Sequence, residues 1–167
     1  MANIESISVT GLRAGELVLM AHNSSTLSDE EWDRNYLEPI RVMKARGGLE
    51  TCANIVFAEG KGPSAHQRSE GNAIFGGGHY QFKVAVITGS VMVRGAVTAL
   101  SWFNPLIRAF SPRDWERAFH HVRLHSTEFK RILAAAAQLR ARIDNVDVLN
   151  RYIDAASATL GVQPPSP

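Results

Sequence analysis

Residues 83–103 read KVAVITGSVMVRGAVTALSWF, and no other stretch limits the fold as tightly. Residues 83–88 form a nearly continuous apolar run, as a central strand covered on both faces requires. The run passes through Gly89 and Ser90 into an amphipathic stretch, residues 91–102, where Val93, Val97, Leu100 and Ser101 fall at helical intervals. A strand that feeds a helix is half of a crossover unit, and crossover units build parallel sheets with helices packed on them.

The alternation extends in both directions. In IESISVTGLRAGELVLMAHN, Ile4, Ile7 and Val9 precede a turn and Leu17, Leu19 and Ala21 follow it, which predicts a hairpin. Ser28 with Glu31 three residues on forms a capping-box signature. Trp32, Tyr36, Leu37, Ile40 and Met43 then recur at helical spacing up to Gly47-Gly48, with a kink or a two-piece helix expected at Pro39. Residues 49–57 are strand-like, Ser64 caps a short helix running to about Phe75, and the glycine-rich GGGHYQF connects to the central strand. NPLIRAF gives a last strand. Ser111, Pro112 and Asp114 then start another helix. The expected fold is α/β: a mixed, mainly parallel sheet with an N-terminal β-hairpin, helices packed on it, and a C-terminal helical extension.

That extension follows Ser126. Phe129, Ile132, Ala136, Leu139, Ile143 and Val146 recur at alternating spacings of three and four, a narrow apolar seam. Two destinations fit it: the chain's own domain, or a second chain. Asp144-Asn145 offers a point at which the segment splits into two helices, because both residues favour caps over helix interiors. The expected organisation is an α/β domain over 1–124, a helical extension over 125–160 and a disordered tail over 161–167.

Charge narrows the partners. Eighteen Lys and Arg against 16 Asp and Glu give a net charge of +2 without any basic tract, so nucleic acid is not an expected ligand. The N-terminus has no basic-then-apolar leader and the chain has no run long enough to span a bilayer, which predicts a cytoplasmic protein with no transmembrane segment. The single cysteine, Cys52, lies in an apolar run and reads as a buried small hydrophobe. Trp32, Trp102 and Trp115 read as core.

The order of elements and the stretch VAVITGSVMVRGAVTALSWFNPLIRAFSP with DWERAF resemble the STAS, or SpoIIAA-like, family of anti-anti-sigma factors, specifically bacterial members of unassigned activity. In that group a Thr-x-Ser turn, an Arg four residues later and Ala-Leu-Ser-Trp precede an Arg-Ala-Phe strand. The resemblance in element order covers about residues 4–124 and the local match about 83–119. It implies a regulatory module whose functional serine opens the helix after the third strand. The nearest residue here is Ser64, although the family's Asp-Ser-Ser-Gly type of motif is absent and Pro63 precedes the serine. Ser64 is therefore the candidate phosphorylation site, with an ordinary N-cap as the alternative.

The remaining candidate site is the strand-to-helix turn. Thr88, Gly89 and Ser90 lie where open α/β sheets place ligands, and Arg94 lies one helical turn on, so the four could hold a phosphate or carboxylate. The complete glycine-rich nucleotide fingerprints are absent. His121 and His125 share a helical face but lack an indicated third ligand, and there is no nucleophile elbow, so neither a metal, another cofactor nor catalysis is expected. The expected function is a non-enzymatic regulatory or scaffolding module that works through protein–protein contacts, as a homodimer formed by the C-terminal seam. The alternative is a small-ligand domain or enzyme using the loops around Ser64 and residues 88–94.

Overall fold

The computed structural model describes residues 2–47, 52–60, 62–74, 83–102 and 104–163. The expected GGGHYQF connection, Gly48 and the last four residues of the tail lie outside these. Five strands, β1 (Ile4–Leu12), β2 (Gly15–His22), β3 (Cys52–Ala58), β4 (Lys83–Ile87) and β5 (Ile107–Phe110), form one sheet in sequential order. The hairpin β1–β2 is antiparallel and the other three pairings are parallel. The helices are α1 (Asp29–Trp32), α2 (Glu38–Gly47), α3 (Ala65–Ile74), α4 (Val91–Ser101), α5 (Trp115–His121), α6 (Phe129–Arg140) and α7 (Asp147–Leu160). The chain is an α/β protein with a mixed sheet, as the alternation of apolar patterns requires.

Period-two alternation gives the sheet two apolar faces. On one, Ile4, Val18, Met20, Cys52 and Val84 meet Trp32, Tyr36, Leu37, Ile40 and Met43. On the other, Leu17, Leu19, Ile55, Phe57, Ala85, Ile87 and Phe110 meet apolar residues of α5, α6 and α7. Trp32, Trp115 and Cys52 are buried as their surroundings in sequence indicate.

The first helical region shows how local chemistry sets the path. Ser28 Oγ accepts the Glu31 amide, and the Glu31 carboxylate accepts the Ser28 amide in return. Between α1 and α2, residues Asp33–Leu37 widen into a π-helical turn in which the Glu38 amide reaches back to the Asp33 carbonyl. The wide turn ends immediately before Pro39, which has no N–H to continue an α-helical ladder. The Pro39 disturbance is thus a widened turn in a continuous helical run.

Three expectations need correction. Phe129, Ile132, Ala136, Leu139, Ile143 and Val146 are all buried in the core that the C-terminal helices share with the sheet. The seam covers the chain's own sheet, which carries a second apolar face with nothing else to hide it, so it presents no surface to a second chain. For the same reason residue 124 is no packing boundary: Trp115 and Phe119 before it and Phe129 and Tyr152 after it form one aromatic cluster. Residues 126–160 form two helices, and the left-handed backbone of Asn145 (φ 57°) lies in the link between them. Trp102, read as core, is 79% exposed.

Ser111 stands at the N-cap position of the next helical turn, with Pro112 following it and Asp114 in the first turn, as read. Its hydroxyl donates to the Asp114 carboxylate at 2.8 Å and caps no helical amide; the chain makes a short 3-10 turn, Pro112–Asp114, before α5 begins.

Candidate functional site

The carboxyl ends of β4 and β5 border a recess lined by polar side chains. The chain leaving β4 passes through Thr88, Gly89 and Ser90 into α4. Thr88 is fully buried; its amide donates to the Phe110 carbonyl at 3.0 Å, and its Oγ1 accepts the Ser90 amide at 3.2 Å. Ser90 is the N-cap of α4: its hydroxyl accepts the Val93 amide (3.2 Å) and its carbonyl the Arg94 amide (3.1 Å). Arg94 folds back over the turn and donates from Nη1 to the Thr88 carbonyl at 2.9 Å. The four residues singled out in the sequence therefore form one locally bonded unit. The turn is a structural hinge and, through Arg94, an anchored guanidinium.

Distant sequence completes the recess. A cleft of about 510 Å³ is lined by Gly89 and Arg94, by Ser111, Pro112 and Arg113 after β5, and by Arg151, Asp154 and Ala155 of α7. Arg113 and Arg151 were not legible as partners of Arg94, because no local spacing relates residues so far apart in the chain. A second recess shares Arg94 and Ser111 and adds Arg108, Asp114 and Arg117.

Ser64 stands apart. Its hydroxyl accepts the Gln67 amide at 3.1 Å, and its own amide donates to Gln67 Oε1 at 2.9 Å, a reciprocal cap on α3. Gln67 is buried and also donates to the Leu27 carbonyl and to Asp29, so the cap ties α3 to the loop before α1. Ser64 lines a recess with Ser24, Thr26 and Gln67 that shares no residue with the arginine cleft.

The histidines occupy separate settings. His121 Nε2 is 2.9 Å from the Leu106 carbonyl, and burial lowers its basicity. His125 Nδ1 accepts the Thr127 amide at a helix start. At the end of β2, burial holds the proton affinity of His22 below the usual range.

The feature that sequence reading missed is the exposed apolar surface of α4. Val91 is 74% exposed, Met92 85% and, just past the helix, Trp102 79%. The described residues of α4 include no fully buried one, and Arg94 is its single charged residue. Met92, Ala96, Ala99 and Trp102, at spacings of four, three and three, share one side of the helix. The helix borders β5, an edge strand. No helix among the described residues is long and apolar enough to cross a membrane.

Comparison with protein-family models, with curated proteins and with solved structures finds no match to this chain.

Proposed function

We propose that this chain is a STAS-like, non-enzymatic regulatory or scaffolding module of the cytoplasm that acts through protein–protein contact, and that α4 is the contacting element. The single observation that carries the reading is the exposure of Val91 and Met92 on a helix with one charge and of Trp102 just past its end. Large exposed apolar residues grouped on one element mark interaction surfaces, and Trp is enriched among residues that dominate binding energy. The element order of hairpin followed by strand–helix crossovers supports the STAS-like kinship.

The occupant that fits is a second copy of the same chain. The face offers no acidic group to pair with a basic partner, and its lone Arg94 is turned back onto Thr88. An uncharged apolar face is self-complementary about a two-fold axis, the arrangement an isologous dimer needs. The short side chains at Gly95, Ala96 and Ala99 let two such helices approach closely, with Met92 and Trp102 at either end of the contact.

A cysteine cross-link tests this. In a Cys52→Ala background, Ala96→Cys is expected to form a disulfide-linked dimer under mild oxidation, whereas Glu116→Cys, exposed on α5, remains monomeric. Equal cross-linking of the two, or none at residue 96, contradicts the proposed contact.

A further inference from the structure

The exits from β4 and β5 diverge. After β4 the chain enters α4, which borders β5 and, among the described residues, gives none to the core beneath α5, α6 and α7. After β5 it enters α5, whose Trp115, Ala118 and Phe119 are buried in that core against Ile87 and Phe110. Where neighbouring parallel strands send their chains apart, a crevice opens at their carboxyl ends, and ligands of open α/β sheets lie in such crevices. The arginine cleft occupies that position.

We infer that the cleft binds a small phosphate monoester, held by Arg94, Arg113 and Arg151. The three arginines come from three separate elements and line one cleft, a juxtaposition made by the tertiary fold and not by one helix face. Arg94 is anchored to the Thr88 carbonyl and is positioned before any ligand arrives. Arg113 is exposed and makes no hydrogen bond or ion pair among the described residues. Arg151 pairs with Asp147 one turn away at 3.1 Å, an exposed contact of the weak kind that a dianion displaces readily. Gly89 places the Arg151 guanidinium at the turn: a Cβ built on Gly89 would lie 3.8 Å from Arg151 Nη1, an ordinary van der Waals contact. Arginine presents paired donors that match phosphate oxygens. About 510 Å³ suits a small organic molecule.

The ester group follows from the acid in the lining. Asp154 is the one carboxylate among the cleft residues, and it repels a bare anion but accepts a hydrogen bond from a hydroxyl or amino group. A phosphate carrying such a group satisfies both ends of the cleft. The neighbouring recess adds Arg108 and Arg117 against Asp114, so the wider rim stays basic.

Isothermal titration of the full chain with glycerol 3-phosphate, at constant ionic strength, reads the site. One saturable site per chain is expected, with inorganic phosphate binding more weakly. Arg113→Gln and Arg151→Gln are each expected to weaken glycerol 3-phosphate about tenfold by removing a charge-assisted hydrogen bond. Arg46→Gln, at a distant exposed pair with Glu16, should change nothing. Both cleft residues are exposed, and thermal melts of the variants confirm that folding is intact. Flotation with phosphatidic acid vesicles separates a free ester from a lipid headgroup. Binding to vesicles without binding to the soluble ester overturns the inference, as does soluble binding that survives both cleft substitutions. None of these variants lies on the exposed face of α4, so the result is independent of self-association.

Discussion

Phe57 of β3 and Tyr152 of α7 pack ring against ring, with centroids 4.9 Å apart and planes tilted by 32°. Through this contact the last helix is part of the same core as the central strand, and the consequence is energetic. The far face of the sheet is covered by α5, α6 and α7, so removing the chain after Leu124 strips Phe57, Ile55 and Leu19 of the residues that exclude water from them. The truncated chain is expected to lose cooperative thermal unfolding by circular dichroism. A cooperative melt near that of the full chain would contradict a shared core. Within it, Tyr152→Ala is expected to lose about 3–5 kcal/mol by the cavity it leaves.

Polar atoms buried without partners make the opposite forecast. Asn54 is fully buried in β3 between Val18 and Val84, and neither atom of its amide finds a hydrogen-bond partner among the described residues. An orphaned buried amide costs about 1–3 kcal/mol. Asn54→Leu, close in shape, is expected to raise the urea midpoint. A lowered midpoint would show that the amide is satisfied in solution.

Acid is expected to weaken the fold before it reaches the carboxylate range. Burial lowers the affinity of His22 and His121 for a proton relative to their ordinary value of 6.5. Their contribution to stability is complete above that value. It is lost as pH falls below it, because the unfolded chain then binds protons that the folded chain resists. Urea unfolding at pH 7.5 and at 5.5 should show lower stability at 5.5, and His22→Gln should reduce the difference. No change in midpoint across that interval would refute the assignment.

Two residues in the β3–α3 connection test local backbone chemistry. Gly60 has a left-handed backbone (φ +71°), and a Cβ there would lie 2.8 Å from Ser24 Cα, so Gly60→Ala is expected to be more disruptive than a surface substitution. Ser64→Ala removes the α3 cap and is expected to lose about 1 kcal/mol. Differential scanning calorimetry ranks the pair, and equal, negligible shifts would contradict both.

What could be read from the chain and what could not divides along sequence distance. The hairpin, the strand–helix alternation, the Ser28–Glu31 box and the break at Asn145 are local, and each carries its own signature in residues a few positions apart. Two apolar stripes were equally visible, one on α4 and one beginning at Phe129, but periodicity does not say what covers a stripe. Packing decides that: the Phe129 stripe goes inward because the sheet's second face must be buried, while Met92 and Trp102, which the Val93–Val97–Leu100 spacing did not pick out, are left outside. Likewise Thr88, Ser90 and Arg94 were legible as a turn. The cleft was not, because Arg113 and Arg151 reach it only through the β5 exit and the docking of α7.

Self-association through α4 is tested most directly by sedimentation equilibrium over a range of protein concentrations, comparing the native chain with Met92→Lys/Trp102→Lys. The native chain should sediment as a dimer that dissociates on dilution, while the doubly substituted chain stays monomeric with an unchanged melt. A native chain that is monomeric at every concentration, or a dimer indifferent to both lysines, would contradict the account.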